Sequence, residues 1–176
     1  MLSSRIGRGL AAGLVAVTLP VLAGCSSSGT QVAYTPSDGV WTNHGNLRLR
    51  NVVAVAPREG EATLVGTIFN NGSGADALTG VRVPGGQAKV GSGTVPLPAR
   101  GVAVLGDTTS LGTAVPTTLT GAGLKPGLAV PVTFRFQRAG TVRLDILVVP
   151  RRGIWATVPP PGGGPKPRLP SKPLPG

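Results

Sequence analysis

Two neighbouring runs of alternating residues constrain this chain more than any other feature. Val132, Phe134 and Phe136 alternate with Thr133, Arg135 and Gln137, and Val142, Leu144, Ile146 and Val148 repeat the pattern after Ala139-Gly140. A period of two puts each apolar residue on one face of an extended strand and each polar residue on the other, so the pair reads as a hairpin with one wet face. Leu47 and Leu49 alternate with Arg48 and Arg50 in the same way, while residues 62–70 are apolar on both faces, as a central strand requires. Asn70-Asn71-Gly72-Ser73-Gly74 supplies residues that tolerate a left-handed backbone before the next strand, Asp76 to Val83. Shorter runs, Thr94 to Leu97 and Val102 to Leu105, are separated by Pro and Gly. Seven or so strands, with no helical periodicity in this region, define the fold class: all-β, an antiparallel Greek-key β-sandwich in a single domain.

Before the strands stands a leader. Arg5 and Arg8 precede an apolar run from Leu10 to Leu22, which has the proportions of a signal-peptide core rather than of a permanent membrane span. Leu22-Ala23-Gly24-Cys25 follows, and Cys25 is the only cysteine of the chain. That order resembles the lipobox of bacterial lipoproteins. It implies that residues 1–24 are removed and that Cys25 carries the lipid, palmitate among its acyl groups, holding the protein to the extracytoplasmic face of the cell membrane. Residues 25–43 then read as the lipidated cysteine and a flexible tether, 44–158 as the sandwich domain, and 159–176 as a Pro/Gly-rich, disordered basic tail.

The chain carries 17 Lys and Arg against 6 Asp and Glu, a formal charge of +11, of which +9 remains without Arg5 and Arg8. Nucleic-acid binding is a poor reading of that charge, because aromatic residues are few and unclustered. Attraction to anionic headgroups or acidic wall polymer is a second reading, and the favoured one is a solvated face rich in arginine, 13 Arg against 4 Lys, with surface attraction as its by-product. Arg151, Arg152, Lys166, Arg168 and Lys172 are the candidate contacts. With the one thiol lipidated, neither a disulfide nor a cysteine-based metal site is expected.

Three stretches carry a family resemblance. Residues 62–72, Ala-Thr-Leu-Val-Gly-Thr-Ile-Phe-Asn-Asn-Gly, followed by Ala75-Asp76-Ala77-Leu78-Thr79-Gly80-Val81, are similar to the N-N-G … A-D-x-L-x-x-V segment of periplasmic copper chaperones of the PCu(A)C type. Val95-Pro96-Leu97-Pro98-Ala99 resembles the I-P-A strand of that family. Gly123-Leu124-Lys125-Pro126-Gly127, Val130 to Phe136 and Gly140-Thr141-Val142 resemble its L-K-x-G-x-x-V-P-V-T-L-x-F … G-x-V ending. The resemblance implies a cupredoxin-like or Ig-like sandwich and points to lipid-anchored actinobacterial members. It also implies a Cu(I) site of two His and two Met, on the strand after A-D-x-L and in an H-x-M pair before the last hairpin. Soft thioether and imidazole ligands are what Cu(I) selects. Here the only methionine is Met1 and the only histidine is His44, and neither Val81 to Val90 nor Val115 to Gly121 contains either residue type. No family ligand carries over, so no metal ligand and no cofactor are assigned.

Other chemistry is thinly represented. His44, between Asn43 and Gly45, reads as a lone exposed residue of a mobile loop. Asp76 reads as a cap that orients the turn at Asn70-Asn71-Gly72, and Glu59-Gly60-Glu61 beside Arg58 as a solvated hairpin turn. Nothing brings two carboxylates together as a glycosidase needs, and no catalytic residue is assigned. The expected function is a non-catalytic, monomeric envelope lipoprotein that binds an envelope protein or an anionic wall polymer. One alternative is metal trafficking through non-standard ligands, drawn from Asp76, Asp107, Asp145 and His44. A second is an envelope-polymer-modifying enzyme.

Overall fold

The computed structural model describes residues 39–163. Ten strands follow one another: β1 (Val40–His44), β2 (Leu47–Arg58), β3 (Glu61–Asn70), β4 (Asp76–Arg82), β5 (Gly86–Val90), β6 (Val95–Leu97), β7 (Val102–Leu105), β8 (Thr117–Gly121), β9 (Ala129–Phe136) and β10 (Gly140–Pro150). A single 3-10 turn, Gly153–Trp155, comes after β10. Among the described residues no helix is long and apolar enough to cross a membrane.

The strands form two sheets joined through β10. Its first eight residues pair antiparallel with β9, and its last three, Val148 to Pro150, pair parallel with Ala54 to Ala56 of β2. The path β5-β8-β3-β2-β10-β9-β4-β6 closes around one core, with β1 added beside β2 and β7 beside β3. Crossings from one sheet to the other bring sequence-distant strands side by side, as Greek-key connections do. All ladders between named strands are antiparallel except the one between β2 and β10. The expected hairpin and the expected central strand are both present: β3 pairs with β2 on one side and with β7 and β8 on the other.

Three strands lie beyond the seven read from the pattern. The strand expected over Asp76 to Val83 ends at Arg82, and β5 follows it after Val83-Pro84-Gly85, where proline cannot donate to a ladder and Gly85 takes φ +63°. β8 is polar at alternate positions but only five residues long. β1 begins at Val40, so the folded unit starts inside the stretch assigned to a tether.

A bulge in β2 decides which side chains enter the core. Between Arg50 and Val53 the ladder to β3 takes one extra residue on β2, and Asn51 adopts φ +52° there. Asparagine tolerates that left-handed conformation better than other non-glycine residues. The extra residue reverses the inward parity. Leu47 and Leu49 point into the main core before the bulge, and Val52, Ala54 and Ala56 after it. Val53 and Val55 consequently face outward, where they would stand in water without a cover.

The chain covers them with its own C-terminal segment. Val158 is 2% exposed and packs with Val53, Val55, Val65 and Val149, while Leu147 and Trp155 close the edge. The strap is pinned by polar contacts at both ends. Arg151 donates its backbone N–H to Ala56 O (2.9 Å) and its Nε to Val158 O (2.6 Å), and Thr63 Oγ1 donates to Pro159 O (2.6 Å). Residues 159–161, assigned to a disordered tail, are therefore half-buried against the sheet. Packing needs no helical or strand periodicity here, only apolar side chains at the right places.

Candidate functional site

At one end of the sandwich the β1–β2 turn, the β3–β4 loop and the β9–β10 turn surround a polar cleft of about 400 Å³. It brings together His44 and Asp76, two of the residues singled out in the sequence. His44 ends β1 opposite Leu47, half-buried, and its Nε2 lies 2.9 Å from Ala139 O. A carbonyl only accepts, so Nε2 carries the proton. His44 is thus part of a strand that ties β1 to the β9–β10 turn; the mobile-loop reading is corrected.

Asp76 is more fully committed. Its Oδ1 accepts from the backbone N–H groups of Ala77 (2.7 Å) and Arg138 (2.9 Å), and its Oδ2 accepts from that of Ala139 (2.9 Å). It therefore orients the β9–β10 turn, not the turn at Asn70-Asn71-Gly72 as expected. Burial pushes its carboxyl up, but the three N–H donors and the Arg138 charge outweigh that and hold it below the ordinary 3.8. A carboxylate with a depressed folded pKa stabilises the native state above its unfolded pKa and loses that contribution as the pH falls through the folded one. We expect Asp76→Asn to cost about 1–2 kcal/mol at pH 7. The gap from the parent should begin to narrow near pH 4 and close as the pH falls through the lowered folded pKa, in urea unfolding followed across pH. An unchanged gap at pH 3 would show that the charge of Asp76 is not what matters.

The other proposed oxygen ligands are not in this cleft. Asp107 follows β7, and Asp145 is exposed on the outer face of β10 opposite Pro131. Among the described residues no group of three or more His, Cys, Asp or Glu could hold a metal ion. Glu61 pairs with Arg58 at 2.7 Å across the exposed β2–β3 hairpin, a surface ion pair of little energetic weight. Trp41, 67% exposed, lies against the Arg50 guanidinium, 5.4 Å from ring centroid to carbon.

The fold does bring together the two segments in which the resemblance places copper ligands. β5 and β8 are paired, with Lys89 opposite Thr118 and Val90 opposite Thr117. Lys89, Gly91, Pro116 and Thr118 line a second cleft there, and Gly162 and Gly163 beyond the strap complete it. Thr117 is fully buried and donates its hydroxyl to Val115 O (3.0 Å). An ammonium, a valine and two threonines offer Cu(I) no soft donor, and the ammonium opposes a cation. The ladder brings the two segments together, but their residues do not fit the metal.

Of the candidate envelope contacts, Arg151 is corrected: it is half-buried and its Nε serves the strap. Arg152 is exposed. Lys166, Arg168 and Lys172 lie outside the described residues, as do Leu22, Ala23, Gly24 and Cys25. Strand alternation places Arg82, Arg135 and Arg143 on wet faces, but only the register shows that they share one. Arg82 and Arg143 both pair with Thr133, from opposite sides, and Arg135 stands two residues further along β9.

The family model of the LpqE-like lipoproteins matches residues 47–148. Solved structures similar to this chain are PCuAC domains. The apo PCuAC domain from PmoF1 is 24% identical, with a TM-score of 0.51 over 62% of this chain and 98% of that one. The copper-bound PCuAC domain from PmoF2 is 21% identical, with 0.53 over 63% and 98%. The apo PmoF2 domain is 19% identical, with 0.55 over 65% and 98%. No curated protein sequence matches. Likeness at these identities establishes a shared fold, and the sequence match covers every strand from β2 through most of β10. On those two findings the chain is a PCuAC-like β-sandwich without the His and Met ligands, and it belongs to the LpqE-like family.

Proposed function

We propose that this protein is a non-catalytic binding module of the bacterial cell envelope. A lipid on Cys25 would hold it to the extracytoplasmic face of the membrane once residues 1–24 are removed, and its surface would engage an envelope protein or polymer. The membership of a lipoprotein family supports the anchor. The observation that supports the non-metal reading is the β5–β8 ladder, where Lys89, Val90, Thr117 and Thr118 stand in the two segments to which the resemblance assigns copper ligands. The polar cleft points the same way, since the carboxylate of Asp76 and the Nε2 of His44 are both engaged with backbone groups.

A second reading, metal trafficking through other ligands, is supported by the likeness to a copper-bound PCuAC domain. The two separate in one experiment. A chain beginning at Ser26 keeps every described strand and the strap, and it is titrated with Cu(I) and Zn(II) against a chelator of known affinity. Binding weaker than micromolar is expected for both ions. Tight one-to-one binding would overturn the proposal in favour of the metal reading, and His44→Ala would then locate the ligand.

A further inference from the structure

Five of the ten arginines of the described domain donate from their guanidinium groups to other groups of the fold. Arg48 donates to Gly45 O and Leu47 O, Arg50 to Thr42 O and Leu49 O, Arg58 to Glu61, Arg138 to Ala75 O and Arg151 to Val158 O. Of the other five, Arg82, Arg135 and Arg143 are gathered by the register onto one sheet face. Each is exposed, each projects from the outer face of the β4-β9-β10 sheet, and the guanidinium of none has a hydrogen bond or ion pair among the described residues.

Their spacing follows from the register. Arg82 and Arg143 flank Thr133, so two strand spacings, roughly 10 Å, separate them. Arg135 lies about 7 Å along β9 from that row. Three unpaired guanidinium groups on one sheet face, with Asp145 as the carboxylate of the same β10 face, make a field suited to several phosphates. Two residues along β10 from Asp145 the face turns apolar. Leu147 borders a groove with Trp155 and Ile154, with Arg152 at its rim. Ile154 is 75% exposed and Leu128, just before β9, is 54% exposed. A basic field ending in a protruding isoleucine beside a tryptophan is the chemistry of a surface that rests on headgroups and dips an apolar tip below them.

We infer that the outer face of β4, β9 and β10 docks on an anionic phospholipid surface, with Arg82, Arg135 and Arg143 on the phosphates and Ile154 at the acyl boundary. The proposed anchor enters only in choosing lipid over a soluble polyanion, and the test omits it. Vesicles of 30% phosphatidylglycerol in phosphatidylcholine are pelleted with the chain beginning at Ser26, at low salt. Partition should weaken roughly 100-fold in the R82Q/R135Q/R143Q triple variant, since each charge near such a surface contributes about five-fold. I154S should weaken it about five-fold. Neither substitution touches a hydrogen bond of the fold, and unfolding curves matching the parent confirm that. A K166Q/R168Q/K172Q variant serves as the control for the remaining basic segment. Loss of binding in that control with full retention in the arginine triple overturns the inference. So does arginine-dependent binding of soluble polyphosphate without any binding to vesicles, which would make the face a polyanion site. Failure here leaves the lipid on Cys25 untouched, because that modification is absent from the tested chain.

Discussion

Replacing Asn70 with alanine should lower the unfolding free energy by about 3 kcal/mol, the sum of several buried polar groups left without partners. Asn70 ends β3 and is 2% exposed. Its Nδ2 donates to Gly74 O (2.8 Å), Leu97 O (3.1 Å) and Pro98 O (3.1 Å), while its Oδ1 accepts from the Gly72 N–H (3.0 Å). One amide therefore closes the β3–β4 loop and ties it to the end of β6. Alanine removes all four contacts at once and strips this partner from the buried Leu97 carbonyl and the buried Gly72 N–H. Asn70→Asp is the informative companion: it keeps an acceptor for Gly72 but turns the donor into an oxygen facing three carbonyls, so it should be no better than alanine. Urea unfolding of the two variants measures this, with a drop in Tm of about 12 °C expected for alanine. A loss below about 1 kcal/mol would mean that water replaces the amide without penalty.

Gly106→Ala should cost about 4 kcal/mol, for two separate reasons. Gly106 follows β7 at φ +76°, where a β-carbon strains the backbone. That carbon would also collide with the carbonyl oxygen of Leu64 and come within 2.9 Å of its carbonyl carbon and 3.0 Å of Thr63 Cγ2. Backbone in the central strand cannot swing aside as a flexible side chain would. Gly85 separates the two contributions, since it takes φ +63° with nothing within 4 Å of its missing β-carbon. Gly85→Ala should therefore cost only about 1–2 kcal/mol. Equal losses for the two variants in denaturant unfolding would show that the Leu64 collision is relieved and that strain alone acts at Gly106.

Both positions are visible in the sequence as turn residues, yet neither shows its weight there. Asn70 belongs to Asn70-Asn71-Gly72, a motif that announces a turn by composition. Its role as a buried bond hub depends on Leu97 and Pro98, brought to it by the crossing of β6. Gly106 is one of 28 glycines, and only the approach of β3 makes it irreplaceable. The same limit applies to the site. Asp76 was read correctly as an orienting carboxylate, but its turn lies 62 residues away in sequence, at Arg138 and Ala139.

What local sequence determined here is what local physics controls. Alternation along β2, β9 and β10, two-sided apolarity along β3 and turn chemistry at residues 70–74 and 139–140 specify strands, wet faces and breaks, because side-chain direction repeats every two residues whatever the partner. The absence of Met and His from the segments resembling the copper-binding ones was likewise plain before any fold was known. Tertiary structure decided which faces meet. The bulge at Asn51 reversed the inward parity of β2 and left Val53 and Val55 to be covered by a strap with no periodicity of its own. The register of β4, β9 and β10 gathered Arg82, Arg135 and Arg143, which lie as far as 61 residues apart in the chain. Pairing between strands is a contest among many partners of similar local appearance, settled by shared burial and backbone hydrogen bonding, and no single stretch of sequence carries that comparison.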